Sequence, residues 1–257
     1  MTDLLDRYLL PRLHINRLKQ QVNLKQLLKA ARMLHNDMSQ SIRLAMERIQ
    51  SQADTLKDIG VRTLFWILKA MRPLQMEELR YALAVDVRDE STDFEDLLIE
   101  DFLSDDVDDD DLIPASLIIA SCGGLVAVSN QTGIVRLIHT SITQYLGKVE
   151  DEWFLCIHSD ISKVCISCLS KNDFAVDDAR NEYNIRHWLH TSPFLAYSLQ
   201  YWGHHACVAP EGNVLKQTAS LLSSSNRVQF LFRGLYAVSW ETLHPCSENV
   251  PAMFLAA

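Results

Sequence analysis

The sequence predicts a mainly α protein: a helical bundle, then a winged-helix domain with a two-stranded β-wing, then a helical connector. Three observations lead there. Apolar residues recur at three- and four-residue spacing along most of the 257 positions. A single pair of short β-rich runs interrupts that rhythm. The chain also has only 8 Gly and 7 Pro, too few for a loop-rich all-β protein. With 48% hydrophobic and 22% charged residues it can build a packed core.

The elements follow in order. Leu24, Leu27, Leu28, Ala31 and Leu34 form a first helical stripe. Ile42, Ala45, Met46 and Ile49 form a second, with Ser39 as its expected N-cap. Val61, Leu64, Phe65, Leu68 and Met71 form a third, stopped by Pro73. Met76, Leu79, Ala82 and Leu83 form a fourth, and Glu77 and Glu78 suit the positive N-terminal end of that helix. Ile113 to Cys122 reads as a short buried helix, with Pro114 in its first turn and Gly123-Gly124 as its stop. The period then changes. Leu125 to Ser129 and Ile134 to Ile138, joined by Asn130-Gln131-Thr132-Gly133, predict a hairpin. A helix follows from about Ser141 to Leu146. Three helices, a hairpin and a further helix are the parts of a winged helix, with the hairpin as wing.

The last hundred residues return to helical period. Cys156, Ile157, Ile161, Val164, Cys165, Cys168 and Leu169 share one face. Pro193-Phe194 opens a helix carrying Leu195, Leu199, Trp202 and Ala206 on one side. Val214 to Leu222 and Val228 to Trp240 predict two more, separated by Ser223-Ser224-Ser225-Asn226. Trp66, Leu125, Trp153, Trp188 and Trp202 are expected in core or interdomain contacts.

The formal charge of −9 is local in origin. From Asp93 to Asp111 there are eleven acids and no Lys or Arg; removing them from the 33 acids leaves 22 against 24 basic residues. Such a block repels itself and is expected to be a solvated loop. A calcium loop of the EF-hand kind needs a central Gly and a closing Glu, and neither is present. Six scattered cysteines fit a reducing, cytoplasmic compartment. The first residues lack a basic stretch followed by an apolar one, so no signal peptide is expected, and no apolar run approaches the ~18 residues of a membrane span.

Several stretches together resemble a family. They are Leu9-Leu10-Pro11-Arg12-Leu13-His14-Ile15-Asn16, Ala45-Met46-Glu47-Arg48-Ile49-Gln50-Ser51-Gln52 and Met71-Arg72-Pro73-Leu74-Gln75-Met76-Glu77-Glu78-Leu79-Arg80-Tyr81-Ala82-Leu83-Ala84-Val85. Cys122-Gly123-Gly124-Leu125-Val126, Ile134 to His139 and Tyr201-Trp202-Gly203-His204-His205-Ala206 continue the likeness in the same order. They resemble the segment after the nucleotide-binding domain in fungal NACHT–ankyrin proteins, which are signal-transducing NTPases of the STAND type. That segment contains a winged helix named after GPI inositol-deacylase, a label that implies no deacylase chemistry. The resemblance implies a lid-like helical segment at 1–54 that follows an NTPase core, a winged helix at 55–150 and a connector at 151–247. Pro251-Ala252-Met253-Phe254-Leu255-Ala256-Ala257 looks like a degenerate start of a first ankyrin repeat, placed at 248–257. The implied role is a non-catalytic regulatory or scaffold segment that couples a NACHT domain to ankyrin repeats. These two neighbours are the expected partners, with self-association where faces lack a neighbour, and with neither nucleic acid nor membrane. A passive structural connector, or a degenerate gene fragment, is the alternative.

No enzyme is expected. The only Gly-Lys pair, Gly147-Lys148, has Ile142 where a phosphate-binding loop needs its first Gly. Neither Gly-x-Ser-x-Gly nor His-Glu-x-x-His occurs, and no cofactor is expected. Cys165-x-x-Cys168 with His158, His187, His190, His204 and His205 raises the question of zinc, but the cysteines lie on an apolar helical face where thiols act as small hydrophobes. DNA binding, the other use of a winged helix, needs a basic recognition helix. Ile113 to Cys122 has no Lys or Arg, and the wing offers only Arg136. One residue carries a sharper expectation. His139, in Ile138-His139-Thr140, stands at the strand-to-helix junction where related immune receptors place the His of a Met-His-Asp motif. The resemblance implies contact with the β-phosphate of ADP once an NTPase domain is supplied. A hydrogen-bonded His that stitches the wing to the next helix is the competing reading.

Overall fold

The computed structural model describes residues 38–84, 112–148, 157–170, 182–209 and 214–243, together with Ile15, Lys19, Asn23, Lys25 and Gln26. The apolar stripe from Leu24 to Leu34, the acidic block, Trp153, Cys156 and the repeat-like end lie outside the described residues.

Helix α1 (Met38–Gln50) puts Ile42, Ala45, Met46 and Ile49 into the core, as their spacing predicts. Ser39 lies inside its first turn, so it does not cap the helix as expected. Helix α2 (Asp54–Lys69) starts with an acid and ends with a lysine, both favourable to its dipole. It buries Ile59, Thr63, Leu64, Phe65 and Trp66. The third stripe was expected to run to Met71, yet that residue is exposed, because the backbone is already extended at Ala70. Pro73 disfavours helical geometry only at Arg72, so the helix has ended before the proline constrains the chain.

The next turn holds a pairing too short for a periodic signal. Met76 N–H donates to Gly133 O at 2.9 Å, and Val135 N–H donates to Leu74 O at 2.9 Å, with Gln75 opposite Ile134. Residues 74–76 thereby flank the hairpin. Helix α3 (Met76–Ala84) then buries Met76, Leu79, Ala82 and Leu83. Glu78 reaches back to accept from Gln75 N–H at 2.8 Å, the N3-to-N-cap half of a capping box.

Helix α4 (Ala115–Ser121) follows Pro114 and ends where Gly123 and Gly124 take φ of 59° and 86°. Arg80 ties its approach to α3, donating to Ile113 O at 3.0 Å and to Glu77 at 2.8 Å. Strands β1 (Val126–Val128) and β2 (Val135–Leu137) pair antiparallel with Val126 opposite Leu137. With residues 74–76 on the free side of β2, the order is that of a winged helix. Helix, short edge segment, two helices and hairpin are followed by helix α5 (Thr140–Leu146).

Two close approaches set the packing. Gly60 of α2 sits against α4, where a Cβ would lie 2.5 Å from the carbonyl oxygen of Ser121. Gly123 sits under α1, where a Cβ would lie 3.1 Å from the carbonyl oxygen of Ala45. Arg48 and Gln52 add hydrogen bonds of 3.1 Å to the carbonyls of Gly123 and Ser121.

The remaining helices are α6 (Ile157–Leu169), α7 (Glu182–Thr191), α8 (Leu195–Val208), α9 (Leu215–Ser223) and α10 (Ser225–Leu243). Helices α6 and α8 pack together, and α10 packs on α7, α8 and α9. The serine-rich separator between the last two is shorter than expected. Only Ser224 is extended, and its hydroxyl accepts from Arg227 N–H at 3.4 Å as α10 begins. One hydrophobic core runs from Ile42 of α1 to Val238 of α10. The molecule is thus mostly helical with a small antiparallel sheet, the class that the apolar periodicity predicts. Among the described residues no helix is long and apolar enough to cross a membrane.

Candidate functional site

His139 is the N-cap of α5. Its backbone is extended and its Nδ1 accepts from Ser141 N–H at 3.0 Å. An accepting Nδ1 requires the ring proton to sit on Nε2. The side chain therefore joins the end of the wing to the first turn of the next helix.

The surface that would read DNA in other winged helices is here uncharged. On α4 the exposed residues are Ser116, Leu117, Ile119 and Ala120. With no cation on that face there is nothing to neutralise a phosphate backbone.

The cysteine and histidine candidates go to several places. Cys165 and Cys168 are buried on α6, and burial pushes the Cys165 thiol well above its ordinary value. His187 and His190 lie exposed on α7, and His204 is exposed on α8. Among the described residues no three His, Cys, Asp or Glu side chains converge as a metal site. Cys122, the buried C-cap of α4, has its thiol pushed up to about 12 by burial.

The most developed constellation lies where the winged helix meets α6 and α8. Trp66 at the end of α2 is 1% exposed and forms edge contacts with Phe194 at 5.5 Å and Tyr197 at 6.1 Å between centroids. Such aromatic pairs contribute about 0.5–1.5 kcal/mol each beyond their buried area. The early end of α2 leaves Met71 N–H unused by the helix, and it donates to Tyr197 Oη at 3.1 Å. Arg72 then lies over the Tyr197 ring, with Cζ 5.3 Å from the centroid, a cation–π geometry. Its guanidinium also forks onto Glu78, with Nη1 2.9 Å from Oε2 and Nη2 on Oε1. Partial burial opposes the charge of Arg72, but the hydrogen bond and the Coulomb attraction of Glu78 outweigh it, so its pKa stands above the ordinary value.

Behind Tyr197 runs a polar thread. Tyr197 Oη is 2.9 Å from His205 Nε2, and His205 Nδ1 is 2.9 Å from His158 Nδ1. Met71 N–H donates to Tyr197 Oη, and assigning the hydroxyl proton to His205 Nε2 gives each hydrogen of the thread an acceptor. Neutral His205 then carries its proton on Nδ1 and gives it to His158 Nδ1. Burial first, then the charges of His158 and His204, lower the His205 pKa to about 4. The same desolvation raises that of Tyr197.

Of the residues expected in core or interdomain contacts, Leu125 is buried and Trp153 lies outside the described residues. Trp66 is fully enclosed, while Trp188 and Trp202 pack on the core from half-buried positions. Arg72 and Tyr197 were not among the residues that the sequence marked for contact. The available signals were faint: a Glu three residues after Gln75, and an aromatic eight residues before His205 on one helix face.

Among family models, that of the winged helix domain of GPI inositol-deacylase matches residues 46–154. The match starts within α1, includes α2 to α5 with the hairpin, and ends before α6. No curated protein and no solved structure matches the chain.

Proposed function

We propose that this chain is a non-catalytic regulatory segment that couples a NACHT-type nucleotide-binding domain to ankyrin repeats. The observation that carries the reading is the seam around Trp66, Arg72 and Tyr197, which joins the winged helix to the helical connector through one core and one hydrogen-bond network. A winged helix held this way passes a displacement on to the connector, because packed cores transmit strain. The likeness of residues 46–154 to the winged helix of GPI inositol-deacylase, and the uncharged face of α4, both support protein contact over DNA reading. The outward row Val228, Phe232, Leu235 and Tyr236 on α10 supports a following domain, the repeats, at that end. Cytoplasmic location belongs to the same proposal.

The test starts with the full transcript. An in-frame phosphate-binding loop upstream and ankyrin repeats downstream are expected, and the absence of both overturns the reading. In the parent protein, Tyr197→Phe is expected to change ADP retention. Unchanged retention would leave a passive connector. His139→Ala tests the nucleotide contact separately: faster ADP loss is expected if the imidazole reaches phosphate, and unaltered loss reduces it to a helix cap.

A further inference from the structure

The seam contains a buried imidazole, His205, against a half-buried one, His158, and coupling by itself requires neither. His205 is fully enclosed on α8, stacked on His158 of α6 with centroids 5.1 Å apart, and it closes the thread that begins at Met71 N–H. We propose that the His158–His205 pair is a proton-sensitive latch, whose protonation in mild acid loosens Tyr197 from Met71 and frees the connector from the winged helix.

In the neutral state every hydrogen in the thread has an acceptor: Met71 N–H on Tyr197, Tyr197 O–H on His205, and His205 Nδ1–H on His158. Adding a proton to His205 Nε2 turns the Tyr197–His205 contact around. The Tyr197 hydroxyl then accepts twice and its own proton loses its acceptor, inside a site where an unpaired donor is costly. A second proton, on His158 Nδ1, would aim two N–H groups at each other across 2.9 Å.

Among the described residues, the charged groups that act on His205 are imidazoles, not acids. On α8 the neighbours are Tyr197, Tyr201 and His204; on α6 they are His158 and Cys165. From the winged helix comes Arg72, already cationic, over the Tyr197 ring. Glu78 of α3, the acid of the seam, is engaged by Arg72 and Gln75 N–H. Asp160 on α6 is two residues from His158, about 200° around the helix. Release of the connector rehydrates both imidazoles, so protonation and release favour each other. The inference rests on the reading of the seam as the coupling contact and adds what regulates it.

The test is residue-resolved hydrogen exchange of the Met71 amide in the whole chain, at pH 7 and pH 5, corrected for intrinsic rates. A folded value of about 4 against an ordinary 6.5 predicts that the opening equilibrium rises about 20-fold at pH 5. In His205→Gln, where the side-chain oxygen still accepts from Tyr197, the rise should shrink to about 2-fold or less. Unchanged wild-type protection, or the same rise in the Gln variant, overturns the latch. Should that variant not fold, the wild-type imidazole Cε1–H shift decides: a midpoint near 4 supports the proposal, and one near 6.5 overturns it. An amide that is unprotected even at pH 7 would instead refute the seam.

Discussion

Gly60→Ala is the sharpest test of how the winged helix is packed. The new Cβ would sit 2.5 Å from the carbonyl oxygen of Ser121, 3.1 Å from its carbon and 3.2 Å from Ile49 Cγ2. The first two are backbone atoms, which cannot swing aside. To restore even 3.0 Å, α4 must retreat by about 0.5 Å, and Gln52 would lose part of its 3.1 Å bond to the same oxygen. Overpacking of this kind costs ~3 kcal/mol at the upper end. Helix propensity returns ~1 kcal/mol, because Ala replaces Gly inside α2. The net expectation is a loss of about 2 kcal/mol. Gly203→Ala in α8 is the internal control, since its Cβ would meet nothing within 4 Å, and it should gain up to ~1 kcal/mol. Urea unfolding of both variants gives the comparison, read as a shift in midpoint at constant slope. If Gly60→Ala is as stable as Gly203→Ala, the helices are not in contact at Gly60 and the packing argument is wrong.

Further expectations follow from the seam. Tyr197→Phe deletes one hydroxyl that serves both Met71 and His205, and should destabilise by about 1–3 kcal/mol in urea unfolding. Arg72→Met strands the Glu78 carboxylate, which is only 8% exposed, and should cost about 3 kcal/mol. Adding Glu78→Gln should recover more than half of that loss, so the double-mutant cycle should report coupling above about 1 kcal/mol. Stability should also follow His205. Its pKa is about 4 when folded and 6.5 otherwise, so the unfolded chain binds the extra proton between those values. Stability is then full above pH 6.5 and falls as pH drops toward 4, by at most about 3 kcal/mol. A urea midpoint that stays flat from pH 7 to 5 in the wild type would exclude this.

Element type was legible locally, because a helix that packs on one side has to repeat apolar residues at three and four. The stripes 42-45-46-49 and 76-79-82-83 therefore went to the core as read. The hairpin was legible from Gly133, whose φ of 66° is what its tight turn needs. Boundaries were less so: α2 ends at Lys69, before Pro73 acts on the chain, and Ser224 alone divides α9 from α10. The pairing of residues 74–76 with the hairpin leaves no period in three residues.

The chain's own order of residues determined the class of fold, the place of the wing, the lack of a phosphate-binding loop and the uncharged recognition helix, since each of these depends on neighbours in sequence. Tertiary structure decided the seam. Met71 and Tyr197 are separated by 126 positions, and His158 and His205 by 47. No local pattern records which buried hydroxyl will answer which released amide. That choice is made when burial removes water and every remaining polar hydrogen must find an acceptor within the protein.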